Sequence, residues 1–194
     1  MDLSSFKLYE DRLVDTGYKP VPKTINFSVK DAKKQMRDAL SYCCGPNVQW
    51  LEGYDDIAQW LGNNEGKGLM MVGGCGLGKT VIGAHVIPVI LIGFCKLIVN
   101  VFSATEMNNR QTEIMSKGII YIDDVGTECT KNDYGNKREV FAEIVDNAEK
   151  EGKLLIISTN LTSKQLNERY GDRVVDRLKH LTKYVSVRGT SLRI

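Results

Sequence analysis

The stretch Gly73-Gly74-Cys75-Gly76-Leu77-Gly78-Lys79-Thr80 constrains the fold of this chain more than any other. It fits G-x-x-x-x-G-K-[ST], a loop whose backbone N–H groups turn inward around an anion. Gly73, Gly76 and Gly78 supply conformations that a Cβ would obstruct. Lys79 is a mobile point charge for β- and γ-phosphates, and the Thr80 hydroxyl is placed to ligate Mg²⁺. The flanks carry the order that such a loop demands. Gly68 to Val72 is a short apolar run that reads as a buried parallel strand, and Val81 to Ile87 continues as a largely buried helix. Strand, glycine loop and helix together predict a nucleotide site, with ATP and Mg²⁺ as its cofactors.

The second half of such a site is expected at the end of another strand. Gly118 to Asp124 is an apolar run closed by two acids. Asp123 is the candidate Mg²⁺ carboxylate, held through water, and Asp124 is the candidate general base for an attacking water. Leu154 to Thr159 is a third buried strand, and Asn160 stands at its C-terminal end, where ligands of open parallel sheets collect. Asn160 is therefore a candidate to orient the water or the γ-phosphate. With a last strand at Tyr184–Val187, at least four strands alternate with helices, which predicts a three-layer α/β/α sandwich around a parallel sheet.

Composition narrows the remaining choices. A chain of 194 residues builds a core without metal or disulfide staples, and its cysteines at 43, 44, 75, 95 and 129 have no C-x-x-C spacing. The formal charge of +2 gives no global pull toward nucleic acid, so a DNA contact needs a local patch. Lys131, Lys137 and Arg138 form the nearest approach to one. Val81 to Phe102 mimics a membrane span but contains His85, Pro88, Lys96 and Asn100. A buried helix handing over to a strand at Leu97–Phe102 explains it better. Met1 to Arg12 lacks the apolar core of a signal peptide, so a soluble, cytoplasmic protein is expected.

Residues 1 to about 30 read as an extended or loosely attached arm. Asp31–Tyr42 is a short amphipathic helix, either packed on the core or offered to a partner. Trp50, Leu51, Tyr54, Ile57, Trp60 and Leu61 recur at helical spacing. Trp50 and Trp60 are open to two readings: a stacking platform for bases, or core and adenine-pocket residues. The expected division is an arm at 1–45 and a nucleotide-binding domain at 46–194.

With these residues in hand, the chain resembles the AAA+ ATPases, in particular their DnaC/IstB-type branch of helicase loaders and transposition ATPases. The loop has the G-x-x-G-x-G-K-T form of that branch, and Asp123-Asp124-Val125-Gly126-Thr127-Glu128 resembles its D-D-[LV]-G-x-E signature. Ser158-Thr159-Asn160-Leu161 resembles its sensor-1 segment. Gly171 to Leu178, followed by Gly189-Thr190-Ser191-Leu192-Arg193, resembles its arginine-finger helix and closing strand. The match runs from about Trp50 to the end and leaves out residues 1–45. Asp146-Asn147-Ala148-Glu149 stands where the family has an arginine and an aromatic, and no helical lid follows the last strand.

The resemblance implies ATP hydrolysis by an oligomer or filament that loads or remodels a DNA-bound partner, a replicative helicase above all. A transposase is the alternative partner, and single-stranded DNA a further one. It also implies an arginine finger, Arg177 first and Arg173 in reserve, given to a neighbouring subunit. A nucleotide-gated scaffold with little hydrolysis, or a small-molecule kinase, would share the loop; the kinase would need a lid and substrate pocket that no residues here provide.

Overall fold

The computed structural model describes residues 3–14, 16–128, 131–133 and 136–193. Five strands form one parallel sheet: β1 (Gly68–Val72), β2 (Asn100–Ser103), β3 (Ile119–Val125), β6 (Leu154–Thr159) and β7 (Thr182–Ser186). Their order across the sheet is β2-β3-β6-β1-β7. From β1 the chain crosses to the far edge at β2, and from β6 it crosses back over β1 to β7. The crossovers leaving β1 and its neighbour β6 run in opposite directions, which opens a crevice at the C-terminal ends of these two strands.

Side chains sort the sheet into two faces by the period of two that a strand imposes. Leu69, Met71, Ile119, Tyr121, Leu154 and Ile156 face one core, shared with Met36 and Leu40 of α2 (Ala32–Cys44), Ile57 and Trp60 of α3 (Tyr54–Gly62), and Ile87 and Leu91 of α5 (Ile87–Cys95). Met70, Val72, Ile120, Ile122, Leu155 and Ile157 face the other. There they meet α6 (Met107–Met115), α7 (Val140–Glu151), α8 (Ser163–Tyr170) and α9 (Asp172–Leu181). The result is the three-layer α/β/α sandwich expected. Runs such as Leu154-Leu155-Ile156-Ile157 are apolar throughout because both faces are covered.

The apolar stretch after the glycine loop resolves into α4 (Lys79–Val81), a π-turn at Ile82–Val86, α5 and then β2. No described helix is long and apolar enough to cross a membrane.

The N-terminal third departs from its expected shape. Residues 3–14 form a helix, α1, where the sequence offers little periodicity. Its Phe6, Leu8, Tyr9, Leu13 and Val14 are exposed. Thr16 and Gly17 then turn back on the end of this helix, and residues 25–29 are clipped to the body by the buried Asn64. Asn64 accepts from the Phe27 N–H at 2.8 Å and donates to the Ile25 and Lys67 carbonyls at 2.9 and 3.1 Å. The Phe27 ring meets Trp60 edge-on at 5.1 Å. Helix α2 then packs on α3 and α5 through Ala32, Met36 and Leu40, which settles its apolar face on the core.

In the segment polar and turn-rich in sequence, β4 (Lys131–Asp133) pairs antiparallel with β5 (Asn136–Arg138). Cys129 lies outside the described residues; Cys43, Cys44, Cys75 and Cys95 are free thiols.

This arrangement predicts that the chain needs its clip and not its first helix. Deleting residues 1–14 should leave the urea midpoint unchanged. Asn64→Ala orphans the Phe27 N–H and the Ile25 carbonyl, while the Lys67 carbonyl keeps its bond from Trp60, and should cost about 1–3 kcal/mol for the first of them alone. A midpoint that falls with the deletion and stays with Asn64→Ala would reverse this assignment.

Candidate functional site

The glycine loop leaves β1 at the crevice and is fastened from below and behind. Tyr54, fully buried in α3, donates its hydroxyl to the Leu77 carbonyl at 3.0 Å. Burial, followed by the nearby Cys44 thiol, pushes its phenol up to about 12. Gly78 takes φ of +74°, and a Cβ there would stand 2.4 Å from the Tyr54 hydroxyl oxygen. Behind the loop, the C-terminal segment closes in: the Leu192 N–H donates to the Gly76 carbonyl at 2.8 Å.

Two acids reach the same crevice through an irregular strand. The β3–β6 register runs Ile122↔Ile157 and then Val125↔Thr159, so one extra residue bulges out of β3. Asp124 sits in that bulge at φ of +57°, a left-handed backbone uncommon for a residue with a Cβ. The buried Ser158 holds the kink together. It accepts from the Asp124 N–H at 2.9 Å and donates to Asp123 Oδ1 at 2.6 Å. The bulge turns both carboxylates toward the loop rather than to opposite faces of the sheet, and strain of this kind gathers at functional sites.

Around these acids the expected residues meet. Thr80 Oγ1 donates to Asp123 Oδ1 at 3.1 Å. Lys79 Nζ donates to the Gly73 and Gly74 carbonyls, both at 2.7 Å, and to Asn160 Oδ1 at 2.8 Å. Asn160 Nδ2 in turn donates to Asp124 Oδ1 at 3.0 Å. Burial lowers the Lys79 ammonium from its ordinary value, while Asp124, Cys75 and Asp123 raise it and Arg193 lowers it. A cavity of about 630 Å³ opens beside the loop, walled by residues 44–49, 75–81, Asp124, Asn160, Leu192 and Arg193.

Two features of this site carry no separate signal in the sequence reading. Arg193 lies only in a terminal segment matched to a closing strand, yet it lines the cavity. Glu128, the acid of the D-D-V-G-T-E segment, is buried and accepts from the Gly126 N–H at 2.8 Å, from Arg169 at 3.3 Å, and from the Tyr170 hydroxyl. It pins the turn after β3 to α8.

Other expected residues stand elsewhere. Trp60 is wholly buried and donates its indole N–H to the Lys67 carbonyl at 2.9 Å. Trp50 packs edge-on against Tyr54 at 5.5 Å under the Arg37 guanidinium. Neither tryptophan is among the residues lining the cavity, nor are Arg173 and Arg177. Arg177, with its side chain 17% exposed, donates to Glu149 at 2.6 Å and pairs with Asp146. Arg173 has 74% of its side chain exposed and reaches Asp146 only at 3.4 Å. The acids at 146 and 149 are the ones that break the family pattern.

A double-mutant cycle tests the loop's support. Gly78→Ala should destabilise by about 1–3 kcal/mol through its left-handed backbone alone, and more through its collision with Tyr54. Adding Tyr54→Phe removes the colliding atom and should recover part of the loss. Strict additivity in urea unfolding would show that Tyr54 does not press on the loop.

A scan against protein-family models gives no match, and no curated protein matches the sequence. Solved structures do. A DnaI structure superposes with a TM-score of 0.61 at 18% identity, covering 83% of this chain and 93% of that one. The DnaC helicase loader gives 0.52 at 20% identity, covering 94% and 99%. AMPPCP-bound DnaA from Aquifex aeolicus gives 0.53 at 18% identity, over 73% of this chain and 49% of its own. What these share with the present chain is architecture: it has the α/β fold of the DnaI and DnaC structures.

Proposed function

We propose that this chain binds and hydrolyses ATP with Mg²⁺ and works as an assembly of copies on a DNA-bound partner, in the manner of a replicative helicase loader. The observation that carries this is the meeting of Lys79, Thr80, Asp123, Asp124 and Asn160 at one crevice, through three hydrogen bonds among them and through Ser158, which bonds to both acids. The likeness of fold to the DnaC helicase loader and to AMPPCP-bound DnaA supports the same choice of partner class and nucleotide.

The loop amides of residues 73–80 hold the phosphates, and Lys79 with Arg193 supplies fixed positive charge. The walls at residues 44–49 and Leu192 take the base. Thr80 and Asp123 offer hard oxygen donors 3.1 Å apart, which fits Mg²⁺, an ion that uses one or two carboxylates and keeps several waters. When bound, the ion neutralises phosphate charge. Asp124 accepts the proton of a water attacking the γ-phosphorus as the bond to the ADP oxygen breaks, and Asn160 holds the Asp124 carboxylate in place.

Of the two candidate fingers, Arg173 suits a role in trans. Its guanidinium is exposed, whereas Arg177 is spent on tying α9 to Asp146 and Glu149 of α7. A finger from a neighbour is worth roughly 10³–10⁵ in rate. The β4–β5 strand pair, whose sequence carries Lys131, Lys137 and Arg138, is the proposed contact for single-stranded DNA.

Lys79→Ala should abolish nucleotide binding, and Asp124→Asn should keep binding but lose turnover; full turnover in Asp124→Asn removes it as the base. Mixing tests the finger. Lys79→Ala and Arg173→Ala proteins, each inactive, should together regain measurable phosphate release. No recovery under conditions where the wild type self-associates would assign Arg173 no role in trans.

A further inference from the structure

Three hydroxyls converge on one oxygen of Asp123. Ser158 and Thr80 belong to segments already matched to the site. The third donor is Tyr121 of β3, whose hydroxyl reaches Asp123 Oδ1 at 2.5 Å. Tyr121 and Asp123 are two residues apart on one strand, so their side chains leave the same face of the sheet, toward the helix that follows the glycine loop.

That helix is shaped to admit the ring. Gly83 lies inside the π-turn at Ile82–Val86, and a Cβ at Gly83 would stand 2.1 Å from Cζ of Tyr121 and 2.6 Å from its hydroxyl oxygen. Any other residue at 83 would drive the phenol away. Tyr121 itself is wholly buried, and its hydroxyl serves Asp123 as a donor.

We infer that Tyr121, admitted by Gly83, is a positioning residue for the Mg²⁺-holding carboxylate of Asp123. The inference rests on the proposed Mg²⁺–nucleotide function. Tyr121 has no part in the chemical step. Its hydroxyl fixes Oδ1 beside Thr80 and Ser158, which sets the direction in which the carboxylate faces the ion. Partners of this kind behind a metal ligand change metal affinity about 10–100-fold when removed.

The experiment titrates Mg²⁺ into protein with a fluorescent ATP analogue, beside a series in EDTA that reads nucleotide binding without metal. Tyr121→Phe keeps the ring and loses the donor. Its Mg²⁺ midpoint should rise about 10-fold or more, while analogue affinity in EDTA stays at the wild-type value. The midpoint reports only on molecules that bind nucleotide, so partial unfolding of the variant does not mimic the shift. Gly83→Ala, which displaces the ring by another route, should raise the midpoint in the same direction. A Tyr121→Phe midpoint within twofold of wild type overturns the inference, as does an equal loss of affinity with and without metal. Wild-type protein whose analogue binding ignores Mg²⁺ would instead overturn the proposed function.

Discussion

At the C-terminal edge of a parallel sheet the ladder stops, and every strand must pass its chain to a loop without leaving buried N–H and C=O groups unpaired. Here that duty falls on Ser158. Its single hydroxyl accepts the N–H of Asp124 and donates to the carboxylate of Asp123. Next to it, Thr159 Oγ1 donates to the Val125 carbonyl at 2.6 Å. Side chains of β6 thus replace the ladder bonds that the bulge in β3 gives up. Without them the left-handed Asp124 would stand over unsatisfied backbone, and the two acids would part to opposite faces. The crevice chemistry depends on that replacement, because Asn160 reaches Asp124 only from the end of the same strand.

Legibility of this arrangement in the sequence follows physical range. The glycine loop, the three apolar strands with polar residues at their ends and the amphipathic helices are local patterns, and each of them marks an element of the fold. Asp123, Asp124 and Asn160 could be placed at the sheet edge because they directly follow apolar runs. The bulge could not, since it is a mismatch between two strands and neither strand alone records it. Tyr121 was hidden for a related reason: inside Ile119-Ile120-Tyr121-Ile122 it reads as one more core residue. Only the glycine opposite, and the carboxylate two residues on, give its hydroxyl a task. Helix α1 leaves Phe6, Leu8, Tyr9, Leu13 and Val14 exposed, so its apolar residues answer to no core in which a sequence reading could have placed them.

Arg173 and Arg177 show how one short motif divides its labour. They are four residues apart on α9, on one side of the helix, and both face Asp146. Arg177 has two carboxylates and little exposure, so its planar fork is engaged within the chain. Arg173 has one distant partner at 3.4 Å and lies mostly in solvent, where such a pair contributes about 0–1 kcal/mol. A resemblance in sequence singles out the better-matched arginine; solvent exposure singles out the one free to leave.

The charge of the crevice gives a reason why one chain would not suffice. Lys79 feels two carboxylates, Asp124 and Asp123, and one other cation, Arg193. Lys79 and Arg193 are thus set against two carboxylates, so these four groups together offer phosphates directed donors and little surplus positive charge. A nucleotide triphosphate is a multiply charged anion, and in a partly buried site that charge must be met nearby. Under the proposed function a divalent cation at Thr80 and Asp123 meets part of it. Under the same proposal a guanidinium from a neighbouring copy meets the rest, and the exposed Arg173 of α9 is not among the residues that line its own cavity. On that proposal hydrolysis tracks assembly, because part of the balancing charge arrives with a neighbour.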